Sequence, residues 1–125
     1  MIPTLAQVAL GGAIGASCRY LTGLGATRLM GHGFPWGTLT VNIVGSFLMG
    51  ALVVVLAEKG GTRYAPLLMT GMLGGFTTFS AFSLDAITLF ERGQVAVAAV
   101  YVGASVLLSL AAIVLALTLL RGAFA

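Results

Sequence analysis

Charged side chains are scarce in this chain. Only 7% of its 125 residues are Asp, Glu, Lys or Arg, whereas 59% are hydrophobic. Because a soluble domain carries roughly 25% charged residues, this composition excludes a soluble protein and indicates an integral membrane protein. Six basic and three acidic residues give a net charge of +3, and the basic residues are scattered along the chain. Scattered charge does not form the basic patch that binds nucleic acid, so no nucleic-acid partner is predicted.

Cysteine and reactive side chains are equally rare. The single cysteine, Cys18, excludes a disulfide within the chain. No pairing of a nucleophile with a base, and no cluster of metal-binding side chains, stands out in the sequence, so an enzyme is not predicted. The first apolar run lacks the basic start of a signal peptide and continues through Arg19, which argues against a cleaved leader.

Long apolar runs are what the chain has in abundance. Three of them carry no charge, and a fourth is interrupted only by Arg19. Each is close to the roughly 20 residues that an α-helix needs to cross the hydrocarbon core of a membrane. We therefore predict an all-α protein of the cell membrane, surrounded by lipid and built as one domain, 1–125. Its four transmembrane helices are predicted at about 4–26, 36–57, 66–90 and 95–120.

The third run contains an unusual segment, Gly74-Gly75-Phe76-Thr77-Thr78-Phe79-Ser80-Ala81-Phe82. Adjacent glycines and threonines have low helix propensity, and a helix within lipid has no water to satisfy freed backbone groups. A break there is tolerated only where other protein, an ion or a water-filled cavity takes up those groups. We predict that this helix is broken in mid-membrane and that the break forms a functional site.

Basic residues are distributed almost evenly between the two sides of the predicted bundle. With four spans, Lys59, Arg63 and Arg121 lie on one side, and Arg28 and Arg92 lie on the other. An excess of Lys and Arg fixes the orientation of a membrane protein, and three against two is almost no excess. The pattern favours insertion in both orientations, with a weak but single topology as the alternative.

Two features suggest that a second copy of the chain completes the site. The first helix carries a small-residue face, Gly11-Gly12-Ala13-Ile14-Gly15-Ala16, that lets another helix approach closely. Tyr101, Ser105 and Ser109, spaced by four, form one polar stripe along the fourth helix. If the chain inserts both ways, an antiparallel homodimer with a twofold axis in the membrane plane is the natural closed assembly.

Three motifs, in order along the chain, resemble those of the Fluc (CrcB) fluoride channels. They are Gly12-Ala13-Ile14-Gly15-Ala16 with Arg19-Tyr20, Gly37-Thr38-Leu39 with Val41-Asn42 and Gly45-Ser46-Phe47, and the segment from Gly74 to Ser80 with Phe82. The resemblance runs through all four spans. It implies a passive, fluoride-selective channel that exports fluoride from the cytoplasm. It also implies an antiparallel, dual-topology homodimer with two pores and a central structural sodium ion.

The same resemblance implies roles for particular residues. Phe79 and Phe82 look like paired pore phenylalanines. Asn42 looks like a pore asparagine, and Arg19 resembles an arginine near the pore mouth. The polar lining of the pore is implied to comprise Ser80, Tyr101, Ser105 and Ser109.

The sodium ion is implied to bind backbone carbonyls, those of Gly74 and Thr77. Two positions depart from the family pattern. Ala81 stands where a threonine is common, which removes one hydroxyl from the lining, and Asp85 stands where a glutamate is common. Because Asp85 lies near the end of its helix, we expect its carboxylate to meet water or Arg92.

The pore residues also have ordinary structural interpretations. Phe79 and Phe82 lie three apart and share a helix face, which is common in packing. Asn42 could instead join two helices by hydrogen bonding. Arg19 could extend to the membrane interface, whereas the functional interpretation is an electropositive vestibule that attracts anions.

A second candidate function is proton-coupled export of cationic drugs by a small, dual-topology four-helix transporter. Such a transporter needs a carboxylate embedded in the membrane, and the first two predicted helices contain neither Asp nor Glu. A non-transporting assembly protein is a third candidate, but it leaves Asn42, the helix break and the polar stripe unexplained. The sequence favours the channel.

Overall fold

The computed structural model describes residues 2–125, and the regular structure in that range is helical throughout. The long helices are α1 (Ile2–Met30), α2 (Trp36–Lys59) and α5 (Val95–Phe124). Between α2 and α5 the chain forms a 3₁₀ turn (Thr62–Tyr64), a π-helical segment (Pro66–Leu73), α3 (Gly74–Phe76) and α4 (Phe79–Glu91). The all-α prediction is confirmed.

Three stretches are long and apolar enough to cross a membrane, namely Trp36–Lys59, Thr62–Glu91 and Val95–Phe124. They contain the predicted spans 36–57, 66–90 and 95–120, and they run a few residues further because helical bonding continues into flanking polar residues. α1, with 29 residues, is long enough for the span predicted at 4–26 but is less apolar than the other three. Its glycines and Arg19 lower its mean hydropathy, so its place as a fourth span stays a prediction.

The third span is broken as expected, but over fewer residues than its glycines suggest. Residues 74–76 are helical, and only Thr77 (φ −87°, ψ 159°) and Thr78 (φ −154°, ψ 122°) are extended. Thr78 then caps α4, because its hydroxyl accepts a hydrogen bond from the Ala81 amide at 3.1 Å. Two threonines, and not two glycines, form the break.

Glycines allow α1 to lie directly against the first half of the third span. A Cβ atom added to Gly71 would lie 2.9 Å from the Cα atom of Gly11, and one added to Gly75 would lie 2.7 Å from the Gly12 carbonyl oxygen. These neighbours are backbone atoms that cannot rotate away, so larger side chains would push the helices apart. The predicted small-residue face of α1 does admit another helix closely, but that helix is the chain's own third span, so this part of the face is no evidence of a second copy.

The best-buried apolar cluster joins α2, α4 and α5. Its members are Leu39, Phe82, Ala86, Leu89, Ala98 and Tyr101. Phe34, from the connector between α1 and α2, packs against this cluster. Since Phe82 lies one turn beyond the break, the cluster fixes α4 relative to α2 and α5 at the point where the third span loses its helical continuity.

Candidate functional site

One side chain of α2 holds the extended backbone at the break. Asn42 Nδ2 donates to the Thr78 carbonyl oxygen at 3.0 Å, and Asn42 Oδ1 accepts from the Thr78 amide at 2.8 Å. A side-chain amide offers a donor and an acceptor side by side, so Asn42 satisfies both backbone groups of Thr78. Asn42 therefore links two helices, and its second N–H is left for another acceptor.

Two carbonyl groups at the break lose their helical donors. In a continuous helix the Thr78 amide would donate to the Gly74 carbonyl, and the Ala81 amide would donate to the Thr77 carbonyl. Here the Thr78 amide donates to Asn42, and the Ala81 amide donates to the Thr78 hydroxyl. The carbonyls of Gly74 and Thr77 are thereby released from helical hydrogen bonding.

A charged side chain from α1 meets a third carbonyl at the break. Arg19 Nε donates to the Gly75 carbonyl oxygen at 3.0 Å. Arg19 is half-buried, so its charge faces protein, as an intramembrane arginine requires. It also lines a cavity of about 980 Å³, to which Arg28, Arg92, His32 and Asp85 contribute as well. Three arginines against one carboxylate give the lining of this cavity a net positive charge.

A second cavity, of about 420 Å³, lies at the break itself. Phe79 and Phe82 form one wall, with ring centroids 5.4 Å apart and ring planes at 49°. The polar lining comes from α2, the break and α5, and consists of Asn42, Ser46, Thr77, Thr78, Ser105 and Ser109. Tertiary packing thus brings five of the predicted pore residues to one cavity.

Two hydroxyls in this cavity have no hydrogen-bond partner. The Oγ atoms of Ser105 and Ser109 are buried, and neither meets a donor or an acceptor within residues 2–125. Buried polar atoms are almost always paired, and leaving one unpaired costs about 1–3 kcal/mol. The two serines are therefore the candidates in this cavity for binding a polar ligand.

The two phenylalanines differ in how far the chain covers them. Phe82 is 9% exposed and belongs to the apolar cluster, so packing accounts for part of its surface. Phe79 is 77% exposed, and packing within the chain does not account for it. Ser80 is exposed beside it, with its Oγ atom 3.2 Å from the Thr78 hydroxyl, and does not line the cavity.

Tyr101 lies apart from the two serines of its predicted stripe. Its ring is fully buried, and its hydroxyl donates to Asp85 Oδ2 at 3.2 Å. The Thr38 hydroxyl donates to the same oxygen at 2.8 Å. We expected water or Arg92 as the partner of Asp85. The structure shows two hydroxyls instead, one from α2 and one from α5, because α4 packs against both helices.

Three residues of the site are missing from the sequence predictions: Thr38, Ser46 and Thr78. Thr78 carried a usable signal, since a threonine directly before an apolar helix is a typical N-cap. Thr38 carried none, because its partner Asp85 lies 47 positions away.

A comparison with known protein families matches residues 6–117 to the family described as "CrcB-like protein, Camphor Resistance (CrcB)". The match includes α2, the helix break and both serines of the smaller cavity. The chain belongs to the CrcB family. It is a multi-pass membrane protein, as its apolar helices indicate.

Relatives of this CrcB-family chain bear a functional name. A protein of Cereibacter sphaeroides is 69% identical over 122 residues, which is 98% of each chain, and is named "Fluoride-specific ion channel FluC". Proteins of Ruegeria sp. (61% over 123 residues) and Paracoccus denitrificans (58% over 122 residues) share that name, again over 98% of each chain. The names describe ion channels and not enzymes.

Proposed function

We propose that this CrcB-family protein is a channel that passes fluoride selectively and passively across the cell membrane, and so lowers fluoride in the cytoplasm. One observation carries the proposal. The cavity at the helix break combines the unpartnered hydroxyls of Ser105 and Ser109 with the Asn42 amide and the ring pair of Phe79 and Phe82. The names of the relatives support the same function.

The chemistry of this cavity suits a small, strongly hydrated anion. Fluoride leaves water only where other donors replace its hydration shell, and hydroxyl and amide groups can donate. The edge of a phenyl ring is the positive part of its quadrupole. The residues that line this cavity in the described chain include no Lys or Arg. Neutral donors bind an anion firmly enough to admit it and weakly enough to release it.

The larger cavity supplies the positive charge that the pore lacks. Arg19, Arg28 and Arg92 all line it. A cleft of one charge sign raises the local concentration of the opposite ion, so these arginines would draw anions towards the break. The positive charge thus lies in the larger cavity and not in the smaller one at the break, so it attracts fluoride without binding it in the pore.

We further propose that the functional unit is an antiparallel, dual-topology homodimer. In the single chain Phe79 is 77% exposed, and Gly74 and Ser80 at the break are exposed as well. Freed polar groups within lipid must be covered by protein, water or an ion. A second copy, related by a twofold axis in the membrane plane, would cover one break with the other and would give two pores.

A structural sodium ion is proposed at the axis of that dimer. The carbonyls of Gly74 and Thr77 fit a cation because their helical donors are directed elsewhere, and unwound carbonyls are the ligands that transporters use for sodium. Two copies would supply four such oxygens. The bound ion would supply positive charge where these carbonyl dipoles converge.

Fluoride efflux from liposomes tests the channel proposal. Liposomes that contain the purified protein should release internal fluoride and retain internal chloride, as measured with ion-selective electrodes. Phe79→Ile and Phe82→Ile keep apolar bulk but remove the ring edge. We expect each to lower fluoride flux about tenfold or more, which corresponds to about 1.4 kcal/mol.

Phe90→Ile is the matched control for both phenylalanine variants. Phe90 lies on α4 with 57% of its surface exposed and does not line the smaller cavity. The fluoride flux of Phe90→Ile should therefore equal that of the unmodified protein. Normal flux in both pore variants would show that Phe79 and Phe82 serve in packing and not in conduction. Proton-driven transport of an organic cation without fluoride flux would favour the exporter.

The balance of basic residues predicts insertion in both orientations. A tag on the C-terminus should be accessible from both sides of the membrane, because the two sides carry almost equal numbers of basic residues. Lys59, Arg63 and Arg121 lie on one side, and Arg28 and Arg92 lie on the other. Added lysines in one set of loops should force a single orientation and abolish flux. Coexpression of two oppositely biased variants should then restore it. Full flux from one singly oriented population would contradict the antiparallel dimer.

A further inference from the structure

Aromatic rings form a continuous row from the connector between α1 and α2 to the helix break. Ring centroids lie 5.4 Å apart between Phe34 and Tyr101, 5.3 Å between Tyr101 and Phe82, and 5.4 Å between Phe82 and Phe79. The last two rings line the smaller cavity, whereas Phe34 lines the larger one. The row therefore joins the proposed vestibule to the proposed pore.

Phe34 is held firmly at the vestibule end of this row. Its ring stands edge-on to that of Tyr101, with an interplanar angle of 88°, and packs against the cluster of α2, α4 and α5. The Trp36 ring lies on another side, 4.6 Å away between centroids. The Trp36 amide donates to the Phe34 carbonyl at 2.8 Å, which fixes the backbone.

Tyr101 is the ring that Phe34 contacts edge-on. Within residues 2–125 its aromatic neighbours are Phe34 on one side and Phe82 on the other. Its hydroxyl donates to Asp85 Oδ2 at 3.2 Å, so a rotation of the ring would move this donor. Close-packed interiors transmit the displacement of one ring to the next, so a rotated Tyr101 would displace Phe82.

We propose that Phe34 is a positioning residue for anion conduction. It holds Tyr101, and through Tyr101 it holds the Phe82 ring in the orientation that lines the cavity at the break. Phe34 itself need not contact the anion. This inference rests on the proposed channel function.

Fluoride efflux from liposomes with the full chain tests the role of Phe34. Phe34→Leu keeps apolar bulk but frees the Tyr101 ring, and we expect flux to fall about fivefold, as loss of an aromatic pair predicts. Phe34→Tyr restores the ring and should stay within about twofold of the unmodified protein. Phe90→Leu is the matched control, because Phe90 is 57% exposed and lines neither cavity, and the ring partners of Tyr101 within residues 2–125 are Phe34 and Phe82; its flux should also stay within about twofold.

A double-mutant cycle separates positioning from a general loss of structure. If Phe34 acts through Tyr101, the double variant Phe34→Leu/Tyr101→Leu should have the same flux as Tyr101→Leu alone. If the double variant lost flux by the product of the two single losses, the two residues would act independently and the inference would be overturned. Normal flux in Phe34→Leu would overturn it as well. Should Phe34→Leu fail to purify as a folded protein, Phe34→Met takes its place with the same expectations. Absence of fluoride flux in the unmodified protein would instead refute the channel proposal itself.

Discussion

Asn42→Asp should reduce fluoride flux about 100-fold or more, the largest effect of any single change proposed for the pore. The variant keeps the size of the side chain but replaces the N–H group that donates to the Thr78 carbonyl at 3.0 Å. A carboxylate oxygen would then face the Thr78 carbonyl oxygen, and two acceptors at hydrogen-bond distance repel each other instead of linking the two helices. The new negative charge would also repel the permeant anion.

Gln94→Glu is the matched control for this exchange. It makes the same amide-to-carboxylate change at an exposed residue on the rim of the larger cavity. The added charge would offset one of the three arginines of this cavity, but solvent and salt screen it at the exposed rim, so flux should fall by no more than about twofold. Efflux from liposomes and the elution volume of the purified protein should be measured together. Near-normal flux in a folded Asn42→Asp protein would rule out Asn42 as a pore residue.

Gly75→Leu should abolish flux by forcing α1 away from the third span. Even a Cβ atom at Gly75 would lie 2.7 Å from the Gly12 carbonyl oxygen and 3.1 Å from the Ala16 amide nitrogen. Overpacking of this kind typically costs about 1–3 kcal/mol. It would also displace the Gly75 carbonyl from Arg19 and disturb the neighbouring carbonyls of Gly74 and Thr77. Gly75→Ala should have the same effect in weaker form.

Gly12→Ala provides the control at the same helix contact. A Cβ atom on Gly12 meets no atom of another helix within 4 Å, so flux should be unchanged and thermal stability should not fall, since alanine favours the helix over glycine. Both variants should be compared in sodium and in a sodium-free buffer, because the proposed ion would add stability only where its carbonyls are aligned. Equal stability of Gly75→Leu and the unmodified protein in both buffers would contradict this account of the break.

The helix break shows how far sequence reasoning reaches. Its place in the third span follows from glycines and threonines of low helix propensity within an apolar run, and the structure confirms it. Its extent does not follow, since Gly74 and Gly75 remain helical and only Thr77 and Thr78 are extended. Local propensity locates a weak point, but the surrounding helices decide which residues leave the helix.

The chain's own residues determine its helical character, its membrane location and the close approach of α1, because these depend on composition and on the periodicity of small and apolar residues. Only the tertiary structure decides the partners at the site. Asn42 and Thr78 are 36 positions apart, Thr38 and Asp85 are 47 apart, and Arg19 and Gly75 are 56 apart. No local pattern encodes such contacts, since each depends on how two helices are placed against each other. The contacts at the break satisfy polar backbone groups that lipid could not satisfy, and folding brings the partners for them from distant helices.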